Sequence, residues 1–331
     1  MSLQIMACSV WYYSLCLAFL LIGLRIDVVL SKRYHCIRNN LTSVQDTSIY
    51  EKCSKVTRLI IAGNLKSGTS NMAWQLGQHP DFYRPVQKEM NCLFSESKEC
   101  VLLCYNYFQS CDVKSSQIVI DASPEYERLN PTAWKSILTN DSQILFLIRK
   151  PNEWMVSMYL HEDNDQQLLS QFHEAPVSEA EHETKFSRFL TDIDRKSVHG
   201  VTLYCQAKHI HNYVKVFGSN RVHVLRTDAE DDTKSFSHLL NDIIGLFNKP
   251  AYSWNVDVLA NIRVNTDKCR DQNKPLDANK TNCQESQPLV YNKTRLQDIA
   301  YDFLQSNHTS AIYLKHCIEE LDNVVDKYVL V

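Results

Sequence analysis

A short segment near the start of the chain, GNLKSGTS (Gly63–Ser70), combines the residue types that bind phosphate groups. Its two glycines have the separation found in a nucleotide-binding P-loop, G-x-x-x-x-G-K-[ST], but a threonine follows the second glycine where that pattern has lysine. Lys66 lies inside the segment instead. Backbone N–H groups from Ser67 to Ser70 can surround a phosphate at the start of the following helix, where the helix dipole favours negative charge. The segment therefore predicts a phosphate-binding loop in which the lysine acts from a displaced position.

A second segment, RKPNEWMVS (Arg149–Ser157), follows the apolar run QILFLI. Together the two segments resemble the nucleotide site of sulfotransferases that use 3′-phosphoadenosine 5′-phosphosulfate (PAPS). In that family a lysine-containing loop binds the 5′-phosphosulfate, and the pattern R-x-P-x-x-R-x-x-S binds the 3′-phosphate. The resemblance implies that Arg149 makes a bidentate contact with the 3′-phosphate and that Ser157 donates its hydroxyl to it. Trp154 departs from the pattern, since the family often has a second arginine there.

A third segment, RPVQKEMNCLF (Arg84–Phe94), resembles the K-E-x-H-x-F segment of heparan-type glycosaminoglycan sulfotransferases, in which the glutamate is the catalytic base. The resemblance implies that Glu89 accepts the proton of an acceptor hydroxyl, which contributes about 10²–10⁴-fold to the rate of such reactions. Lys88 matches the lysine before that glutamate, and Asn91 replaces the family's histidine.

Two further stretches are similar to parts of the same family. DASPEYE, which contains Ser123, is similar to the E-K-[ST]-P-x-Y segment at the acceptor cleft, with Ala122 in place of its lysine. Cys269 and Cys283 correspond to a late disulfide that closes a loop over the nucleotide. The expected substrate contacts are Lys88, Asn91 and Ser123. The expected PAPS ligands are Lys66, Ser67, Gly68, Thr69, Ser70, Arg149 and Ser157, with Lys66 and Glu89 as the catalytic residues.

The resemblance implies transfer of a sulfuryl group from PAPS to a hydroxyl of a glycosaminoglycan-like carbohydrate by in-line displacement, without a metal. Lys66 and the loop amides then stabilise the charge that develops on the leaving phosphate. Two alternatives stay open: a catalytically degenerate sulfotransferase fold that binds glycans, and a sulfotransferase acting on a non-glycan acceptor such as tyrosine. A nucleotide kinase with an aberrant P-loop is a third, which the position of Lys66 and the pair Arg149 and Ser157 oppose.

Alternating apolar runs and amphipathic segments predict the elements that position these residues. Buried strands are expected at Arg58–Ala62, Ile118–Ser123, Gln143–Ile148 and Arg221–Thr227. Helices are expected after the phosphate loop, from Pro151, up to Gly218, and at Lys234–Phe247, Lys293–Gln305 and Ser310–Tyr328. Thr69 or Ser70 is expected to cap the first of them. The pattern predicts an α/β fold with a P-loop-like central parallel sheet flanked by helices, and the resemblance implies the sulfotransferase fold.

The first residues of the chain differ from the rest. Met6–Leu24 carries no charge, and its length is close to the ~20 residues that a helix needs to cross a bilayer. A signal anchor is favoured over a cleaved signal peptide, because no A-x-A-like cleavage site follows. The expected organisation is an N-terminal transmembrane helix within residues 1–30, a polar stem at 31–57 and a lumenal domain at 58–331.

Composition and motifs indicate the secretory route. The net charge of −3 gives no basic field for nucleic acid. The apolar segment predicts the membrane as a partner, and the family resemblance implies a glycan acceptor. Ten cysteines follow the apolar segment and predict disulfides, with a zinc site at Cys92, Cys100, Cys104 and Cys111 as a weaker reading. With the family resemblance, these features imply a single-pass type II protein of the Golgi membrane. Glycosylation is expected at five sequons: Asn40, Asn140, Asn279, Asn292 and Asn307.

Overall fold

A computed structural model of the chain describes residues 47–87, 89–95, 97–114, 116–169, 178–191, 205–227, 233–254 and 292–328. These residues form a five-stranded sheet in which every pair of neighbouring strands is parallel. The strands are β1 (Arg58–Gly63), β2 (Phe82–Tyr83), β3 (Ile118–Ala122), β4 (Gln143–Ile148) and β5 (Val222–Arg226). Their order across the sheet is β2-β3-β1-β4-β5, which places β1 in the centre. The expected parallel α/β sheet is confirmed.

The helices of the described ranges occupy the segments between and after the strands. They are α1 (Thr47–Ser54), α2 (Thr69–Leu76), α3 (Lys98–Tyr107), α4 (Pro151–Leu169), α5 (Glu179–Thr191), α6 (Gln206–Phe217), α7 (Thr233–Gly245), α8 (Lys293–Gln305) and α9 (Thr309–Tyr328). Short 3-10 turns lie at Cys92–Phe94, Pro124–Arg128 and Pro131–Trp134. Each helix expected from the amphipathic segments is present, and β2 is an additional two-residue edge strand.

The alternation of side chains along β1 divides the core between the two faces of the sheet. Leu59 and Ile61 are buried on one face, in a cluster with residues of α2 and α7. Ile60 and Ala62 are buried on the other, with residues of α3, α6 and α9. Because both faces are covered, β1 reads as a continuous apolar run, which is the pattern expected of a buried parallel strand. A separate apolar cluster joins α4, α5, α8 and α9 and includes Trp154.

Within the described residues, three disulfides join helices to one another or to the segments beside them. They join Cys53 to Cys111, Cys92 to Cys104, and Cys205 to Cys317. Three of the four cysteines of the predicted zinc site, Cys92, Cys104 and Cys111, form disulfides, so the zinc prediction is wrong. The described ranges hold no cluster of metal-ligating side chains.

Several expectations lie outside the described residues. They are the apolar segment Met6–Leu24, Lys88, the pair Cys269 and Cys283, and the sequons at Asn40 and Asn279. None of the helices in the part of the chain that is described has the length and apolarity needed to cross a membrane. The other three sequon asparagines, Asn140, Asn292 and Asn307, are exposed, and their glycosylation stays a prediction.

Candidate active site

The phosphate loop leaves the carboxyl end of β1, the central strand. The N–H of Asn64 donates to the carbonyl of Leu147 in β4 at 2.9 Å, and the N–H of Ser67 donates back to the carbonyl of Asn64 at 3.1 Å. Gly68 then begins α2 as its N-cap, with φ of 89° and no side-chain cap. Thr69 is the first helical residue, so the expected cap by Thr69 or Ser70 is wrong. A glycine takes the capping position because the left-handed backbone there disfavours other residues.

The loop presents polar groups of the kind that a phosphate needs. The Ser67 side chain is buried, and its hydroxyl oxygen has no hydrogen-bond partner among the described residues. A side chain placed on Gly68 would meet no atom within 4 Å, so the space beside the helix N-terminus is open. Lys66 has φ of 65°, a left-handed conformation that costs an L-residue about 1–2 kcal/mol. An uncapped helix start, an orphaned hydroxyl and open space fit an oxygen-rich anionic group.

Arg149 joins the second motif to the first. It follows β4 directly, and its Nη1 donates to the carbonyl of Lys66 at 3.5 Å. Its Nε and Nη2 donate to the Glu153 carboxylate at 3.0 and 2.9 Å. Ser157 is partly exposed on α4, two turns after Arg149. The two segments, distant in sequence, therefore meet at one edge of the sheet.

The Trp154 side chain donates a hydrogen bond to the backbone of the phosphate loop. Its side chain is 2% exposed, and the indole Nε1 donates to the carbonyl of Leu65 at 2.7 Å. This residue departs from the family pattern at the arginine position, and sequence reasoning assigned it no role. The structure places a neutral donor there that holds the loop backbone.

The segment that carries Glu89 is anchored to the residues after β3. The N–H of Asn91 donates to Ser123 Oγ at 3.0 Å, and the N–H of Leu93 donates to the Tyr126 hydroxyl at 3.1 Å. Glu89 is partly exposed, and its φ is 58°. Ser123, expected to contact substrate, is fully buried with its hydroxyl already bonded. Its position is a support beneath the loop, while Asn91 keeps a partly exposed surface.

Asp121 lies at the centre of this support. Its buried carboxylate accepts hydrogen bonds from Ser123 Oγ at 2.8 Å, the Tyr126 hydroxyl at 2.9 Å and the Tyr105 hydroxyl at 3.3 Å. Burial raises the pKa of Asp121 to about 6, and these three hydrogen bonds together with the Arg58 charge act in the opposite direction. Arg58 is itself buried, with its guanidinium 4.1 Å from the centre of the Tyr105 ring. The ionised carboxylate is therefore compensated by fixed donors and a nearby cation.

A second buried carboxyl, Glu127, lies directly against the start of the phosphate loop. A Cβ on Gly63 would lie 2.5 Å from Glu127 Oε2, so only glycine fits there. Gln206 Nε2 donates to the same oxygen at 3.2 Å. Burial raises the pKa of Glu127 to about 8, while the Arg128 charge and the Gln206 hydrogen bond act to lower it. The sequence analysis did not identify Glu127. The available signal was Gly63 at the end of an apolar strand, because a glycine there indicates that another group approaches the backbone closely.

The order of the strands arranges the three segments around β1. The Glu89 segment is held beside β3, the Lys66 loop follows β1, and Arg149 follows β4. Carboxyl ends of parallel strands share one edge of the sheet, and ligands of such folds bind at that edge where the connections diverge. The arrangement brings the segment with the Glu89 carboxylate, the Lys66 loop and the Arg149 guanidinium to one edge of the sheet. Such a set can bind an anionic ester and accept a proton from an attacking hydroxyl.

No family model matches the chain, and no curated protein sequence matches it. Among solved structures, the chain is similar to a sulfotransferase from Alicyclobacillus acidocaldarius, with 21% identity and a TM-score of 0.46 over 64% of this chain and 87% of that one. It is also similar to the sulfotransferase domain from the curacin biosynthetic pathway, with 15% identity and a TM-score of 0.33 over 61% and 79% of the two chains. Functional conclusions therefore depend on the geometry of the site.

Proposed function

We propose that the protein is a PAPS-dependent sulfotransferase that transfers a sulfuryl group to a hydroxyl of a carbohydrate acceptor. The observation that carries the proposal is the contact between Arg149 and the carbonyl of Lys66. It unites the two segments that resemble the 5′-phosphosulfate and 3′-phosphate sites. A nucleotide with phosphates at both ends of its ribose needs two such anion sites close together.

The residues of the loop fit the 5′ end of this donor. Lys66 and the amides of Ser67, Gly68, Thr69 and Ser70 are proposed to bind the phosphosulfate, with the buried Ser67 hydroxyl as a further donor. Arg149 and Ser157 are proposed to bind the 3′-phosphate. For this, the guanidinium has to share or release Glu153, its present partner.

The proposed chemistry is an in-line displacement at sulfur. PAPS supplies the sulfuryl group and leaves as 3′-phosphoadenosine 5′-phosphate. Glu89 accepts the proton of the acceptor hydroxyl as the new S–O bond forms and the S–O bond to the phosphate breaks. Lys66 and the amides at the start of α2 stabilise the charge that builds on the phosphate oxygen. Trp154 keeps the loop backbone in position through the Leu65 carbonyl.

A glycosaminoglycan-like acceptor and a lumenal Golgi location are the finer parts of the proposal. The Glu89 segment supports the first through its resemblance to the heparan-type enzymes. Three disulfides and the exposed sequon asparagines support the second, because disulfides persist in oxidising compartments. Membrane attachment through residues 1–30 belongs to the same proposal.

The test is binding of 3′-phosphoadenosine 5′-phosphate to the full-length chain by calorimetry, with ATP in parallel. Micromolar binding that is lost in Arg149→Ala and Lys66→Ala is expected. Lys150→Ala is the matched control, because this neighbouring cation is exposed and occupies a position of the segment that the family pattern leaves unspecified. Folded wild-type protein that binds ATP but not the PAPS product refutes the proposal.

Labelled PAPS then identifies the acceptor class. Heparosan, chondroitin and a tyrosine peptide are offered separately, and Glu89→Gln is compared with wild type on any acceptor that is labelled. Transfer to a polysaccharide that falls at least 100-fold in Glu89→Gln is the expected result. Transfer to the peptide alone overturns the carbohydrate part, and nucleotide binding without transfer to any of the three supports the degenerate glycan-binding alternative.

A further inference from the structure

We propose that Asp121 is a positioning residue that holds the Glu89 segment in its working place through two hydroxyl relays. The inference rests on the proposed function for the role of Glu89, while the relays themselves are observed. Asp121 does not contact the cleft, because it is fully buried. It acts through Ser123 and Tyr126.

The two relays have the same chemical form. In the first, the N–H of Asn91 donates to Ser123 Oγ at 3.0 Å, and Ser123 Oγ donates to Asp121 Oδ1 at 2.8 Å. In the second, the N–H of Leu93 donates to the Tyr126 hydroxyl at 3.1 Å, and that hydroxyl donates to Asp121 Oδ2 at 2.9 Å. One carboxylate thus uses both oxygens to anchor two amides of one loop.

The carboxylate determines the direction of both hydroxyls. A serine or tyrosine hydroxyl has one proton and can act as donor or acceptor. Because each proton here is given to Asp121, each oxygen turns its lone pairs toward the loop amides. Hydrogen bonds to an ionised acceptor are also stronger than those between neutral groups. Asparagine at 121 removes the charge and keeps only one acceptor oxygen, so at most one of the two hydroxyls keeps its acceptor.

The loop needs external anchors because its own backbone is unfavourable. Glu89 and Asn91 have φ of 58° and 54°, left-handed values that are unfavourable for glutamate and less so for asparagine. The Cys92–Cys104 disulfide and the hydrogen bond from Trp134 Nε1 to the Leu93 carbonyl fix the same stretch. The anchors begin two residues after Glu89, so they control where its carboxylate lies.

Hydrogen exchange of the loop, measured by mass spectrometry on the full-length chain, tests the inference directly. Asp121→Asn, Ser123→Ala and Tyr126→Phe are each expected to speed exchange in peptides covering residues 89–95 at least fivefold, while peptides of the phosphate loop are unchanged. Tyr105→Phe is the matched control. Its hydroxyl donates to the same carboxylate at 3.3 Å but stands outside both relays.

The result that overturns the inference is equal exchange in Asp121→Asn and wild type, or the same acceleration in Tyr105→Phe. Should Asp121→Asn not fold, Ser123→Ala and Tyr126→Phe decide by the same criterion. Binding of 3′-phosphoadenosine 5′-phosphate is measured beside each variant and is expected to be unchanged. Absence of binding in the wild type refutes the proposed function alone, because the exchange results do not depend on it.

A kinetic cycle with Glu89 separates positioning from general stability. With labelled PAPS and heparosan, Asp121→Asn is expected to lower kcat about tenfold and to leave the KM for PAPS unchanged. In a Glu89→Gln background the same substitution is expected to cause no further loss, because residues that act as a unit are non-additive. An equal tenfold loss in both backgrounds contradicts action through Glu89.

Discussion

Replacing Glu127 by glutamine removes a buried ionisable group while keeping its shape. The side chain is 1% exposed, and burial raises its pKa from 4.5 to about 8. Because the folded protein holds this proton more tightly than the unfolded chain, stability is greatest below pH 4.5 and falls as the pH rises toward 8. Between pH 5 and pH 7 this linkage costs the wild type about 2 to 3 kcal/mol of unfolding free energy. Glutamine does not ionise, so the Glu127→Gln variant lacks this loss of unfolding free energy.

Urea unfolding followed by tryptophan fluorescence at pH 5 and pH 7 measures the effect. The variant is expected to become the more stable protein at pH 7 and to show the smaller change between the two pH values. Glu125→Gln is the matched control, since it removes the same charge from a partly exposed residue of the same 3-10 turn. Parallel pH dependence in Glu127→Gln and wild type would refute the reasoning that burial controls this carboxyl.

The position of Glu127 gives this titration a functional consequence. Its carboxyl lies against Gly63, the first residue of the phosphate loop. Ionisation above about pH 8 places a negative charge beside the loop that we propose binds phosphate. Affinity for 3′-phosphoadenosine 5′-phosphate is therefore expected to fall between pH 7 and pH 9 in the wild type, and to fall less in Glu127→Gln.

Three further predictions concern the side of the site that we propose binds the nucleotide. Trp154→Phe leaves the Leu65 carbonyl without its donor and is expected to lower the unfolding free energy by about 1 to 3 kcal/mol in urea titrations; unchanged stability and nucleotide affinity contradict a supporting role. Arg149→Lys keeps the charge but loses the planar fork, so nucleotide affinity measured by calorimetry is expected to fall at least tenfold. Gly68→Ala meets no neighbouring atom but forces alanine to φ near 89°, and a loss of about 1 to 2 kcal/mol in the same titrations is expected; no loss argues against the left-handed cap.

The strands and the phosphate loop were predictable because their signals are local. After Arg58, the run RLIIA is apolar at every position, as expected of a strand buried on both faces, and a glycine-containing turn follows it. A buried strand followed by a loop is therefore the expected structure. The helix in the segment from Arg149 to Ser157 begins at Pro151, which was also predictable locally because proline is favoured at the first position of a helix. The short edge strand β2 was not predicted, because two residues provide no periodicity.

The helix cap shows where local rules compete. Thr69 and Ser70 are both good capping residues, and the sequence prediction was that one of the two forms the cap. The structure uses Gly68, since the chain must turn through a left-handed conformation to leave β1 and enter α2. The path of the backbone from the strand into the helix determines the cap, and the capping preferences of single residues do not predict that path.

By itself, the sequence determined the kind of fold and the residues that resemble a sulfotransferase site, because both are expressed over short distances along the chain. Only the tertiary structure decided how these residues are supported. Trp154 binds a carbonyl 89 residues away in the sequence, and Asp121 reaches the Glu89 segment through Ser123 and Tyr126. Burial, which turns Asp121 and Glu127 into perturbed acids, depends on what the other elements pack against them. Such environments are properties of the packed molecule, and no stretch of sequence carries them alone.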